Sequence, residues 1–145
     1  MSVFAKKSLG QHFLTQPTFA EKIVRLAQVA STDSVLEIGP GRGILTEALA
    51  KTGATVIAIE KDRELVPLLH EKFTGFKNVK IIEGDVLKIF NDMGDDGEPW
   101  RKELRLNLIA VPEVVRQGDP ETGPISLKVV ANLPYNIATE VIFRL

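Results

Sequence analysis

The sequence predicts an α/β fold, a doubly wound parallel sheet with helices on both faces. Three observations lead there. Short apolar runs recur at Val35–Ile38, Thr55–Ile59, Val79–Ile82 and Leu127–Ala131; segments with helical spacing separate the first three; and a glycine cluster follows the first run directly. Strands alternating with helices favour parallel pairing through right-handed crossovers. Continuously apolar strands are the kind that helices cover on both sides. With 145 residues, 44% of them hydrophobic, the chain is long enough for one domain with its own core.

Each element has a local reason. Residues 1–16 read as an N-terminal arm. Pro17 suits the first turn of a helix, and Phe19, Ile23, Leu26, Ala27 and Ala30 follow at helical spacing. Val35–Ile38 is the first strand. Ile44–Ala50 is a helix stopped near Gly53, so the glycine cluster between them is a tight strand-to-helix turn. Thr55–Ile59 is the second strand, and Asp62–Phe73 a helix disturbed near its start by Pro67. Val79–Ile82 and Leu127–Ala131 complete the set. Residues 91–126 break the rhythm with Gly, Asp, Glu and Pro at both ends. They read as an elaborated connection, with Leu104, Leu106 and Leu108 spaced for one extra strand.

Composition narrows the function. There are no cysteines, and the two histidines, His12 and His70, are not spaced as metal ligands, so thiolate chemistry is excluded and no metal is expected. No apolar run is long enough to span a membrane and no charged-then-apolar leader is present, so a cytoplasmic location is expected, with no membrane partner. A monomer is the expected state. The net charge of −1 is low for a dedicated nucleic-acid binder. The deficit is local: between Asp92 and Glu121, eight acids face four bases, and the rest of the chain is mildly basic.

In an open α/β sheet, ligands bind beyond the carboxyl ends of the strands. Gly39, Gly41 and Gly43 lie beyond the first strand, where glycine lets backbone N–H groups approach a ligand. A tight turn needing positive φ is the competing explanation for such a cluster. The third glycine of the dinucleotide fingerprint would stand one place later, where this chain has Ile44, which disfavours NAD. Glu60 ends the second strand, placed to accept hydrogen bonds from ribose hydroxyls. Asp85 follows the third strand, placed either to accept from an adenine amine or to cap a helix. Together these strand ends describe an adenosine pocket with no need for a pyrophosphate.

Asn132-Leu-Pro-Tyr-Asn136 closes the fourth strand. An aromatic amine is a poor nucleophile because its lone pair is delocalised into the ring. Hydrogen bonds from that amine to the Asn132 side-chain oxygen and a backbone carbonyl favour pyramidal nitrogen. Pro134 removes a competing N–H, and Tyr135 offers a face for a base turned out of its stack. No general base is required, since the methylated ammonium loses its proton to water. A plain strand-to-helix turn is the competing explanation.

With these residues identified, the chain resembles the small-subunit ribosomal RNA adenine-N6,N6 dimethyltransferases, relatives of the erythromycin-resistance methyltransferases. Leu9–Leu14, Leu36–Gly43, Ile59-Glu60, Glu83–Asp85 and Asn132–Asn136 fall in family order. The resemblance implies a Rossmann-like methyltransferase fold and S-adenosyl-L-methionine as cofactor. It implies cofactor contacts from His12 and Leu14 of the arm, Gly39 and Gly41 at the methionine end, Glu60 at the ribose, Asp85 at the adenine, and Asn132. Asn132, Pro134 and Tyr135 are then the catalytic turn that holds the target adenine, and the partner is small-subunit ribosomal RNA in a pre-ribosomal particle. His12 stands where many members have asparagine. The family pattern continues beyond the segment matching Ile137–Leu145 with more strands and a small helical domain that grips RNA. Residues 1–145 are thus expected to be the N-terminal part of the catalytic domain, truncated after the fourth strand and its helix, without that RNA-binding domain. Two other readings stay open: an adenine-N6 methyltransferase of large-subunit RNA or DNA, and a binding module that holds cofactor or RNA without turnover.

Overall fold

The computed structural model describes Leu14, residues 16–91 and residues 127–131. Helix α1 (Pro17–Leu26) leads into β1 (Ser34–Ile38), followed by α2 (Ile44–Ala50), β2 (Thr55–Glu60), α3 (Leu65–Phe73), β3 (Val79–Glu83), α4 (Val86–Asn91) and β4 (Leu127–Ala131). The sheet is parallel in every described pairing, with strand order β3-β2-β1-β4. Succession runs outward from β1 to β3 on one side and resumes with β4 on the other. The ends of β1 and β4 therefore flank the switch point where ligands settle in such sheets. The register sets Ile38 beside Ala131 and beside Ile59.

Burial follows from this order. Every residue of β1 and β2 is buried; the continuously apolar run Thr55–Ile59 predicts this for a strand covered on both faces, and β1 is buried as fully although it carries Glu37. Side chains alternate between faces. Val35, Val56 and Val130 meet α1 and α2 through Ala20, Ile23, Val24, Leu45, Ala48 and Leu49. Ala58 and Ile81 meet α3 through Leu65, Val66, Leu69 and Phe73. The opposite face, Leu36, Ile38, Ile57 and Ile59, is closed by Val86, Leu87 and Ile89 of α4. Polar groups fix the edges. Asn78 donates to the carbonyls of Ala50 and Ala54 at 2.9 and 2.8 Å. The Asp33 carboxylate accepts from the N–H of Ala30 and pairs with Lys128 of β4, each at 2.7 Å.

Two details differ from the sequence expectation. The first helix stops at Leu26 and not near Ala30; Gln28, at φ 50°, reverses the chain. Its core face is Ala20, Ile23 and Val24, while Phe19 and Leu26 are 55% and 72% exposed. Both sets of residues satisfy a 3.6-residue period, and only the docking direction of the helix separates them. Pro67 does not disturb α3: the helix begins at Leu65, so proline occupies the first turn, where its missing N–H costs no intrahelical bond. The strand suggested around Leu104–Leu108, and the connection from 92 to 126, lie outside the described residues.

Candidate functional site

Gly39, Gly41 and Gly43 all have left-handed φ, at 69, 58 and 71°. The turn is held from three sides. Gly39 donates its N–H to the Ile59 carbonyl at 2.9 Å, Gly41 donates to Oε2 of Glu60 at 3.0 Å, and Gly43 donates to the Pro40 carbonyl at 2.8 Å. Two of the glycines answer different demands. A Cβ on Gly43 would lie 2.7 Å from the Phe73 ring and 3.0 Å from Leu69, so glycine there permits α2 to pack on α3. A Cβ on Gly39 would meet no atom within 4 Å, so that position opens onto free space at the end of β1.

Lys72 on α3 braces the turn from outside. Its ammonium donates to the carbonyls of Arg42 and Gly43 at 3.2 and 3.1 Å, pairs with Glu47 at 3.2 Å, and lies 5.3 Å from the Phe73 ring centre. Nothing local in the sequence marks this lysine, because its partners lie about thirty positions away.

Glu60 is buried, and both carboxylate oxygens accept from the backbone: Oε2 from Gly41, Oε1 from the Asp62 N–H at 2.8 Å. Asp62 in turn accepts the Glu64 N–H at 3.1 Å and the Leu65 N–H reaches its carbonyl at 2.9 Å, leading the chain into α3. A carboxylate has about four acceptor positions, so Glu60 keeps capacity for ligand hydroxyls beyond these two bonds. Asp85 caps the helix that follows it: Oδ1 accepts the Leu87 N–H at 3.1 Å, while Oδ2 pairs with Lys61 at 2.7 Å. Partial burial works to raise the Asp85 pKa, but the Lys61 ammonium and the Leu87 N–H outweigh it and hold the carboxyl below its ordinary range. Arg63 pairs with Glu83 at 3.0 Å along the same edge.

Glu37 is the residue that the motif reading passed over. It lies within the central strand at 1% exposure, between the last residues of β1 and the first turn of α2, the two elements the glycine turn joins. Its Oε2 and the buried hydroxyl of Thr46 find no hydrogen-bond partner among the described residues. Burial lifts its pKa from 4.5 to about 7, and Glu60 adds to the rise, while Thr46 and the Lys72 charge pull against it. The sequence signal was a lone carboxylate inside the apolar run Val35-Leu-Glu-Ile38.

Thus Gly39, Gly41, Glu60 and Asp85 come together at one edge of the sheet, with Glu37 beneath them. Leu14 is half-buried and packs into the cluster beneath α1 and α2. His12, Asn132, Pro134 and Tyr135 lie outside the described residues. A groove of about 570 Å³ between α1 and α2, bounded by Val24, Ile44 and Ala48 with Glu21, Arg25 and Lys51 at its rim, shares no residue with this site. Among the described residues no group of three His, Cys, Asp or Glu could hold a metal ion, and no helix is long and apolar enough to cross a membrane.

A parallel sheet with this strand order, a glycine turn after its central strand and acids at the next two strand ends is a Rossmann-like arrangement, and it is the fold of two solved methyltransferase structures. The chain belongs to the family described as "Ribosomal RNA adenine dimethylase", whose pattern matches residues 3–145. It is 41% identical over 141 residues to a ribosomal RNA small subunit methyltransferase A of Geobacter sulfurreducens, covering 97% of this chain and 42% of that protein. It is 37% identical over 139 residues to a chloroplastic ribosomal RNA small subunit methyltransferase of Arabidopsis thaliana, covering 96% and 36%. The chain thus spans about two-fifths of the length of these curated relatives. A dimethyladenosine transferase structure from Plasmodium falciparum superposes with a TM-score of 0.61 at 27% identity, over 92% of this chain and 38% of that one. A 23S ribosomal RNA methyltransferase structure, at 24% identity, has the same fold with a TM-score of 0.61 over 92% and 42%.

Proposed function

We propose that this chain is the cofactor-binding part of a ribosomal RNA adenine-N6 dimethyltransferase that uses S-adenosyl-L-methionine. The observation that carries the reading is the Gly41–Glu60 hydrogen bond, which joins the glycine turn after β1 to the acid ending β2 in one pocket. In this reading Gly39 and Gly41 border the methionine end, where the space beside Gly39 admits a ligand without meeting a side chain. Glu60 uses its remaining acceptor capacity for the ribose hydroxyls, and Asp85 accepts from the adenine amine while Lys61 and the Leu87 N–H keep it ionised. His12 and Leu14 cover the cofactor from the N-terminal arm.

The cofactor supplies an electrophilic methyl group, and the protein's task is positioning and exclusion of water. Ala131, the last residue of β4, stands beside Ile38 at the switch point. The Asn132, Pro134 and Tyr135 turn that follows it in sequence is assigned to the target adenine. Asn132 accepts from the amine and also borders the cofactor, Pro134 withholds a competing donor, and Tyr135 stacks on the extruded base. The substrate is small-subunit ribosomal RNA within a pre-ribosomal particle, encountered in the cytoplasm.

Incubation with labelled S-adenosylmethionine and undermethylated small-subunit particles, beside large-subunit RNA and free DNA, tests the assignment. Label in small-subunit RNA that disappears with Asn132→Ala supports it. Label in the other two acceptors instead contradicts the substrate. Cofactor binding without transfer identifies a binding module instead.

A further inference from the structure

Beyond the contacts just assigned, the site contains a buried acid that none of them uses. Glu37 is enclosed on every side. Its neighbours in the sheet, Ala58 and Val130, carry no charge. Among the described residues, the groups that do face it are Thr46 from α2, Glu60 from β2 and Lys72 from α3. Lys72 is already committed to Glu47 and to the carbonyls of Arg42 and Gly43, so it is a weak counter-charge. Glu60 shares the face of the sheet with Glu37, since Glu37 is in register with Ala58 and side chains two apart along a strand point the same way. Two carboxyls therefore share the space around the glycine turn, one satisfied by two backbone N–H groups and the other with one oxygen, Oε2, that finds no hydrogen-bond partner among the described residues.

We propose that Glu37 is a charge-selecting residue of the cofactor pocket: it holds a proton while the pocket is empty and becomes a carboxylate beneath a cationic cofactor, releasing that proton to solvent. This inference rests on the S-adenosylmethionine reading above. That cofactor carries an ammonium, a carboxylate and a sulfonium, a net positive charge, whereas the product after methyl transfer has lost the sulfonium and is neutral. An uncompensated buried carboxylate is costly in an empty pocket. The incoming positive charge supplies the missing partner, and no covalent bond changes. Binding then favours the methyl donor over the demethylated product, and the preference fades as the medium becomes acidic enough to keep Glu37 protonated. The burial that lifts its pKa to about 7 places the exchange near neutrality.

Calorimetric titration of the full 145-residue chain with S-adenosylmethionine, in two buffers of unequal ionisation enthalpy, reads the proton directly. With the free-state value of about 7, roughly half a proton leaves per cofactor bound at pH 7, and affinity is about tenfold weaker at pH 6 than at pH 8. S-adenosylhomocysteine shows a smaller release and a flatter profile. In Glu37→Gln the cofactor still binds, the buffer dependence is gone and the profile is flat. The wild-type infrared difference spectrum gives a reading that does not depend on the variant's folding: the carbonyl stretch of a protonated carboxylic acid is lost when the cofactor enters. Binding without proton release in wild type, or release undiminished in a folded Glu37→Gln, overturns the inference and leaves the cofactor reading intact. Failure of wild type to bind S-adenosylmethionine at any of these pH values overturns the cofactor reading, and this inference with it.

Discussion

Glu60 holds the glycine turn through Gly41: its Oε2 accepts the Gly41 N–H at 3.0 Å while Oε1 accepts the Asp62 N–H at 2.8 Å. One buried side chain thus fixes the loops after two adjacent strands before any ligand arrives. Replacing it with alanine strands two N–H donors in a buried setting, a loss of about 1–3 kcal/mol. Urea denaturation of Glu60→Ala reads this as a lowered midpoint with an unchanged slope. Glu60→Gln, which keeps one acceptor oxygen, loses less.

The glycines separate packing from pocket. Gly43→Ala combines positive φ with a Cβ 2.7 Å from the Phe73 ring, and is expected to cost roughly 2–4 kcal/mol in thermal unfolding. Gly39→Ala meets no atom and bears only the backbone strain, about 1–2 kcal/mol. Its larger effect is on ligand binding, because the new methyl occupies open space in the site. The two variants should therefore rank oppositely in stability and in cofactor affinity.

Stability has a pH dependence whose sign follows from Glu37. Its folded pKa, about 7, is above the ordinary 4.5, so the folded chain retains a proton that the unfolded chain gives up between those values. The contribution is fully present below 4.5 and is lost as pH rises through 7, by roughly 3 kcal/mol at most. Equilibrium unfolding of the free chain at a series of pH values should show this fall. Glu37→Gln should flatten it and be the more stable protein at alkaline pH.

Asp85 has the opposite sign. Its folded pKa is depressed below 3.8, so its stabilisation is present above that value and disappears as pH falls through the folded one. Lys61→Met removes the 2.7 Å ion pair and should move the Asp85 titration upward, read from its side-chain carbon shift by NMR.

The sequence made much of this legible because its local and global signals agree. Ile44–Ala50 and Leu127–Ala131 occur with the boundaries read from their patterns, and the alternation of strands and helices predicted a parallel sheet. Gly39, Glu60 and Asp85 could be singled out from the sequence because strand ends are the places where such sheets bind ligands, and the structure brings them to neighbouring strand ends. What escaped was set by three-dimensional neighbours. The core face of α1 was not fixed by the spacing, because a helical period tolerates either Phe19 and Leu26 or Ala20 and Val24 as its core side, and only the packing partner, α2, decides. Asp85 had two equal local explanations, and the Leu87 N–H shows that the cap is one of its roles. Glu37 stood inside a motif whose glycines drew the reading, although a carboxylate within an apolar strand was itself the clue. Lys72 had no clue at all, since its role depends on how α3 lies against the turn.

The most direct test of the pocket is the affinity of the chain for S-adenosylmethionine, compared with that of a Glu60→Gln, Asp85→Asn double variant whose fold is verified by circular dichroism. The wild-type chain is expected to bind, and the variant to lose about a hundredfold or more, since each charged acceptor bond contributes roughly 1.5–3 kcal/mol. Wild-type affinity retained in the folded double variant would contradict the pocket assignment, because the ribose and adenine would then be held somewhere other than the ends of β2 and β3.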